Sequence, residues 1–172
     1  MNIIVYYVGY VVQKFFNLGS SAVLLVSMGF GIINFTFALP AFYTIDTFGR
    51  RSLLLITVPF LAICQLLTTI ALTGHQGQSH WIAKFPRLGI VAMYLFGVFY
   101  SPGEGPVPFV YAAESMPLYI RDVGMGLVTS VNWFFNWLIA FTAPWFFRLF
   151  KPYGAFLWYT VWCVLLWFMI FL

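Results

Sequence analysis

Nine residues, Tyr100-Ser-Pro-Gly-Glu-Gly-Pro-Val-Pro108, hold three prolines, two glycines and the carboxylate of Glu104. Each proline removes a backbone donor and crowds the preceding turn, so a helix running through this segment must bend or unwind. In apolar surroundings the freed carbonyls cost on the order of several kcal/mol each unless protein or water satisfies them. Pro102, Gly103, Glu104, Gly105, Pro106 and Pro108 therefore read as a broken-helix hinge beside a cavity. Glu104 is the single ionised residue between Leu88 and Ala113, and an isolated carboxylate in such a stretch is a functional candidate. The competing reading is a kinked packing helix whose glutamate reaches an interface.

Two short charged loops form a second constellation. Asp46-Thr-Phe-Gly-Arg-Arg51 and Glu114-Ser-Met-Pro-Leu-Tyr-Ile-Arg-Asp122 lie two loops apart, so they emerge on the same side of a helical bundle. Asp46, Glu114 and Asp122 balance Arg50, Arg51 and Arg121, and guanidinium–carboxylate pairs among them can clamp helix ends. The alternative is ordinary loop anchoring, in which exposed pairs contribute about 0–1 kcal/mol each.

The third constellation is a set of polar stripes. Asn2, Tyr6, Tyr10 and Gln13 fall on one helical face, as do Thr129, Asn132 and Asn136, which Trp133 and Trp137 flank. Asn34 stands alone among Ser27, Gly31 and Ala38. Amides in an apolar environment need partners, so these faces turn inward. Amides with aromatic rings suit a sugar, whose hydroxyls they bond and whose apolar face they stack on. Helix-to-helix hydrogen bonding without a ligand accounts for the same residues equally well.

The elements that position these residues follow from composition. Of 172 residues 63% are hydrophobic and 7% charged, against about 25% charged in soluble domains. So few charges cannot solvate a surface, and the surface must face lipid. No ionised residue occurs between Lys14 and Asp46, Arg51 and Lys84, or Asp122 and Arg148. A hydrocarbon core of about 30 Å takes roughly 20 helical residues to cross. Spans are expected near 20–45, 52–73, 88–112, 123–147 and 154–172, with a shortened first one near 1–16. The chain thus reads as one all-α transmembrane domain, and the bilayer is its first partner.

Eight basic residues spread along the chain form no run that would track phosphates, so no nucleic-acid partner is expected. Cys64 and Cys163 lie mid-span in separate helices and read as small hydrophobes. His75 and His80 share a loop without a carboxylate, so neither metal nor other cofactor is expected. No catalytic cluster points to an enzyme. The sequon Asn34-Phe35-Thr36 sits deep in a span, beyond reach of glycosylation.

Taken in order, the motifs resemble the sugar porters of the major facilitator superfamily. Asp46-Thr-Phe-Gly49-Arg50-Arg51 is similar to that family's D-x-x-G-R-R loop. Gly105-Pro106-Val-Pro108-Phe109, with Tyr111, Glu114, Pro117 and Arg121, resembles its tenth-helix pattern and following loop. Asn2 with Tyr6-Tyr7 resembles the seventh helix, and Asn34 and Asn132-Trp133 match positions in helices eight and eleven. Ser101-Pro-Gly-Glu-Gly-Pro106 looks closest to fungal sugar or polyol porters.

The resemblance implies a six-helix half-bundle with a truncated first helix. It implies sugar or polyol contacts at Asn2, Asn34, Phe109, Asn132 and Trp133, and an outer gate at Tyr6 and Tyr7. A cytoplasmic gate network would be formed by Asp46, Arg50, Arg51, Glu114 and Arg121. It further implies alternating access in the plasma membrane, completed by an amino-terminal six-helix half that is absent from this chain, which alone would be inactive. Outside the resemblance, a non-transporting sensor or partner-binding half protein fits the same composition. Phe109 departs from the tryptophan usual in the family and lacks its indole donor. Lys14, Lys84, Arg87, Arg148 and Lys151 fall on the face opposite the gate loops. Charge alone would turn that face to the cytoplasm, whereas the resemblance turns it outward.

Overall fold

The computed structural model describes residues 19–75 and 87–172, with Gly9, Val12 and Gln13. The expectations for Asn2, Tyr6, Tyr7 and His80, and for most of 1–16, lie outside the described residues. The described residues form helices joined by short turns, without a strand among them: α1 (Ser20–Ala38), α2 (Ala41–Phe48), α3 (Arg50–His75), α4 (Arg87–Tyr100), α5 (Val107–Ser115), α6 (Arg121–Leu149) and α7 (Lys151–Phe171).

Among the described residues four helical stretches are long and apolar enough to cross a membrane: Ser20–Ala38, Arg50–Thr73, Arg121–Leu149 and Gly154–Phe171. The chain is an all-α integral membrane protein.

Proline decides where the remaining helices break. The stretch 20–45 is not one helix: α1 stops at Ala38, and α2 restarts after Pro40, whose carbonyl takes the amides of Tyr43 and Thr44 at 3.0 Å each. Pro40 has no N–H to give Thr36, so the ladder cannot pass through it. Between α4 and α5 the turn 101–106 re-routes the backbone. Gly105 N donates to Tyr100 O at 3.1 Å, five residues back, and Val107 N to Gly103 O at 3.2 Å. That wide loop of backbone is what three prolines in nine residues leave available.

Helix α3 is the centre of the bundle. Half of its span is buried, against 6% for α1 and for α6. It packs against α4 on one side and α7 on the other, while α1 leans on α4, and α6 on α5 and α7. Leu61, Cys64 and Leu72 of α3 meet Met93 and Phe96 of α4 and Phe156 of α7 in the main core.

A buried span must also satisfy its polar groups. Thr57, Thr68 and Thr69 donate their hydroxyls to the carbonyls of Leu53, Cys64 and Gln65, each at 2.9 Å. Pro59, inside α3, leaves the carbonyl of Leu55 without its ladder donor. The indole N–H of Trp167 on α7 takes that place at 3.2 Å.

Helices α2 and α3 are joined by Gly49 alone, at φ 79° and ψ 153°. This region of backbone space is essentially restricted to glycine.

Candidate substrate cleft and gate network

The broken segment and α6 border an open cleft of about 480 Å3. Tyr100, Glu104, Gly105, Pro108 and Phe109 wall it on one side, and Val128, Asn132, Trp133, Phe135, Asn136 and Ile139 on the other. The α6 residues recur at helical spacing, so one face of that helix supplies its whole side of the cleft. Asn136 is buried and donates from Nδ2 to the carbonyl of Asn132 at 3.0 Å. The volume falls within the roughly 300–1,000 Å3 of small-molecule sites. Two amides, a carboxylate and four aromatic rings give hydrogen-bonding groups and stacking faces in one place.

The broken segment is held in position from behind. Gly103 is buried against α3, where an added Cβ would lie 2.8 Å from Thr57 Cβ. Only glycine admits this approach without a shift. The hydroxyl of Ser101 donates to Asn34 Oδ1 on α1, and it also lies 2.8 Å from the carbonyl of Gly97.

At the loop end of the bundle, Arg50 is the centre of a charge cluster. Its Nη2 lies 2.6 Å from Glu114 Oε1 and 3.3 Å from Asp46 Oδ1. The first bond ties the start of α3 to the end of α5 across 64 residues of sequence. Arg51 does not join the carboxylates: Nε and Nη2 donate to the carbonyls of Ile170 and Phe171 at 3.1 and 2.6 Å. The last carbonyls of a helix lack intrahelical donors, and the end of α7 lies beside the start of α3, so a guanidinium satisfies two of them. Arg121 also turns to backbone, with Nη2 3.5 Å from the carbonyl of Met116. Of the three arginines in the two charged loops, Arg50 is thus the ion-pair hub, while Arg51 and Arg121 lie on backbone carbonyls.

Residues 1–172 match the family described as "Sugar (and other) transporter". The chain belongs to that family.

Among curated relatives, "MFS glucose transporter mfs1" of Aspergillus flavus is 32% identical over 159 residues, covering 84% of this chain and 29% of that protein. "Probable polyol transporter 6" of Arabidopsis thaliana is 39% identical over 108 residues, covering 63% of this chain and 22% of the relative. The crystal structure of a D-xylose–proton symporter is similar with a TM-score of 0.81 at 24% identity, covering 99% of this chain and 38% of the symporter. That likeness shows the fold, a half-bundle of the major facilitator kind. The chain therefore spans well under half the length of these proteins.

Within this sugar-transporter-family chain, the structure brings Phe109, Asn132 and Trp133 together in the cleft. Asn34 stands outside that lining and is engaged with Ser101 instead. Pro108, Gly105 and Glu104 of the broken segment line the cleft, Gly103 faces α3, and Pro102 and Pro106 shape the turn. Asn136, Tyr100 and Phe135 line it too. Asn136 carries a legible signal in its place on the Asn132 stripe, whereas Tyr100 and Phe135 are two among many aromatics. Trp137, on the same stretch, turns away and stacks on Phe141 at 5.7 Å. Among the described residues no group of three or more His, Cys, Asp or Glu is placed to hold a metal ion.

Proposed function

We propose that this chain is the carboxy-terminal half of a secondary transporter for sugars or polyols that works by alternating access. The observation that carries the proposal is the cleft itself, where a broken helix and the amide-and-ring face of α6 meet. Phe109 and Trp133 offer stacking faces to the apolar side of a sugar ring, and Asn132 and Asn136 offer amides to its hydroxyls. Discontinuous helices form substrate sites at the repeat interface of such transporters. The names of the relatives, a glucose transporter, a polyol transporter and a xylose symporter, agree on that substrate class.

In this reading Arg50, with Glu114 and Asp46, forms the cytoplasmic gate and releases when the bundle rocks open. Arg51 and Arg121 hold helix ends beside it. The second half of the site and of the gate comes from an amino-terminal six-helix partner, and the plasma membrane is the expected location. The chain alone should not move sugar: uptake into proteoliposomes containing only this chain would contradict the half-site reading.

The positive test supplies the amino-terminal half of a family relative by co-expression. Radiolabelled hexose or hexitol uptake should then appear, and Asn132→Ala should lower it at least tenfold with membrane abundance unchanged. Uptake indifferent to Asn132→Ala and Phe109→Ala would remove the cleft from the substrate path.

A further inference from the structure

A second, smaller cavity of about 250 Å3 lies behind the broken segment, lined by Gln65, Glu104, Tyr159, Trp162, Cys163 and Leu166. Glu104 thus borders both this cavity and the substrate cleft. Gln65 is fully buried in α3, and its Nε2 has no hydrogen-bond partner among the described residues; the same holds for the buried Oε2 of Glu104. The thiol of Cys163 donates to Gln65 Oε1 at 3.1 Å, which leaves the NH2 group as the free end.

One cavity therefore receives an unpartnered donor from α3 and an unpartnered acceptor from the broken segment. An unmade hydrogen bond at a buried polar atom is strongly unfavourable, and two in one cavity call for a shared partner. A partner that accepts from an amide and donates to a carboxylate is a hydroxyl-bearing molecule. At roughly 30 Å3 per water, the space holds several waters.

We propose that this cavity is a bound-water site in which water accepts from Gln65 Nε2 and donates to Glu104 Oε2. The site joins α3 and α7 to the broken segment through a flexible link. A water bridge lets the segment move relative to α3 while its carboxylate stays solvated, which a direct amide–carboxylate bond would not. The proposal is independent of the transport reading, because water occupancy is measured without substrate.

The test is hydroxyl-radical footprinting of the chain in lipid nanodiscs, with microsecond radiolysis generating radicals from water bound beside each side chain. Cys163 lines the cavity, while Cys64 is equally buried and lines neither this cavity nor the cleft. Cys163 should be oxidised at least tenfold faster than Cys64. Gln65→Leu, which removes the donor at similar volume, should bring Cys163 down to the rate of Cys64, and Glu104→Gln should keep it high. Equal rates in the parent chain would overturn the proposal. A rate unchanged by Gln65→Leu would overturn it as well. The parent comparison needs no variant, so a poorly folding substitution leaves the test decisive.

Discussion

Arg50 gathers ion pairs from both charged loops onto one guanidinium, and both partners remain solvent-accessible: the Glu114 and Asp46 side chains are 49% and 77% exposed. Exposed pairs contribute about 0–1 kcal/mol each, so Arg50→Ala should barely change stability. It should nonetheless free α5 from α3. A spin-label pair at the ends of these helices should show a broader distance distribution in the variant, and exchanging the charges (Arg50→Glu with Glu114→Arg) should narrow it again. An unchanged distribution in Arg50→Ala would show that packing alone holds the two ends. The pairing was legible in the sequence because loop parity puts the two motifs on one side and their charges are opposite. The role of Arg51 was not: its acceptors are backbone carbonyls of Ile170 and Phe171, and a carbonyl at a helix end leaves no mark in residue type.

At the scale of the element, prolines carry most of the legible information and neighbours supply the rest. The break at 101–106 follows from proline density alone. Pro59 is different, since it sits inside a helix that continues for 16 residues to His75. What allows this is Trp167 donating to Leu55, and that requires knowing that α7 lies against α3. Trp167→Phe should therefore cost about 1–3 kcal/mol, the penalty of a stranded buried carbonyl. In the Pro59→Ala background the restored N–H should cap Leu55, and the same substitution should cost much less. Reversible unfolding in mixed micelles measures both; equal costs in the two backgrounds would mean that the indole acts only by packing. Gly103→Ala tests the contact behind the broken segment. With Thr57 Cβ 2.8 Å from the added carbon, overpacking should cost about 1–3 kcal/mol, and Thr57→Ala should recover part of it.

At the scale of the whole molecule, α3 is the buried centre and α6 the outward wall. Trp133, Phe134, Trp137, Phe141 and Trp145 are all more than half exposed along one helix. Composition made this a membrane surface, but sequence gave no means of separating the part that lipid covers from the part a second bundle would cover. A cysteine introduced at Trp133, on the cleft side, should lose reactivity toward a membrane-permeant maleimide when the amino-terminal half is co-expressed, by at least fivefold. One at Trp145, beyond the cleft lining, should change less. Equal protection at both positions would place the partner along the full length of α6.

The joint at Gly49 has a mechanical consequence. Helix α2 ends at Phe48 and α3 begins at Arg50, so one residue separates a peripheral rod from the central one. A joint this short has no slack: any swing of α2 must turn the first bond of α3, and the Arg50 hub moves with it. The linkage works as a crank, and Gly49 is its bearing. A side chain there meets no neighbouring atom but cannot hold φ 79° without strain of about 1–3 kcal/mol. Gly49→Ala should therefore stiffen and misalign the crank while leaving the surrounding packing as it is.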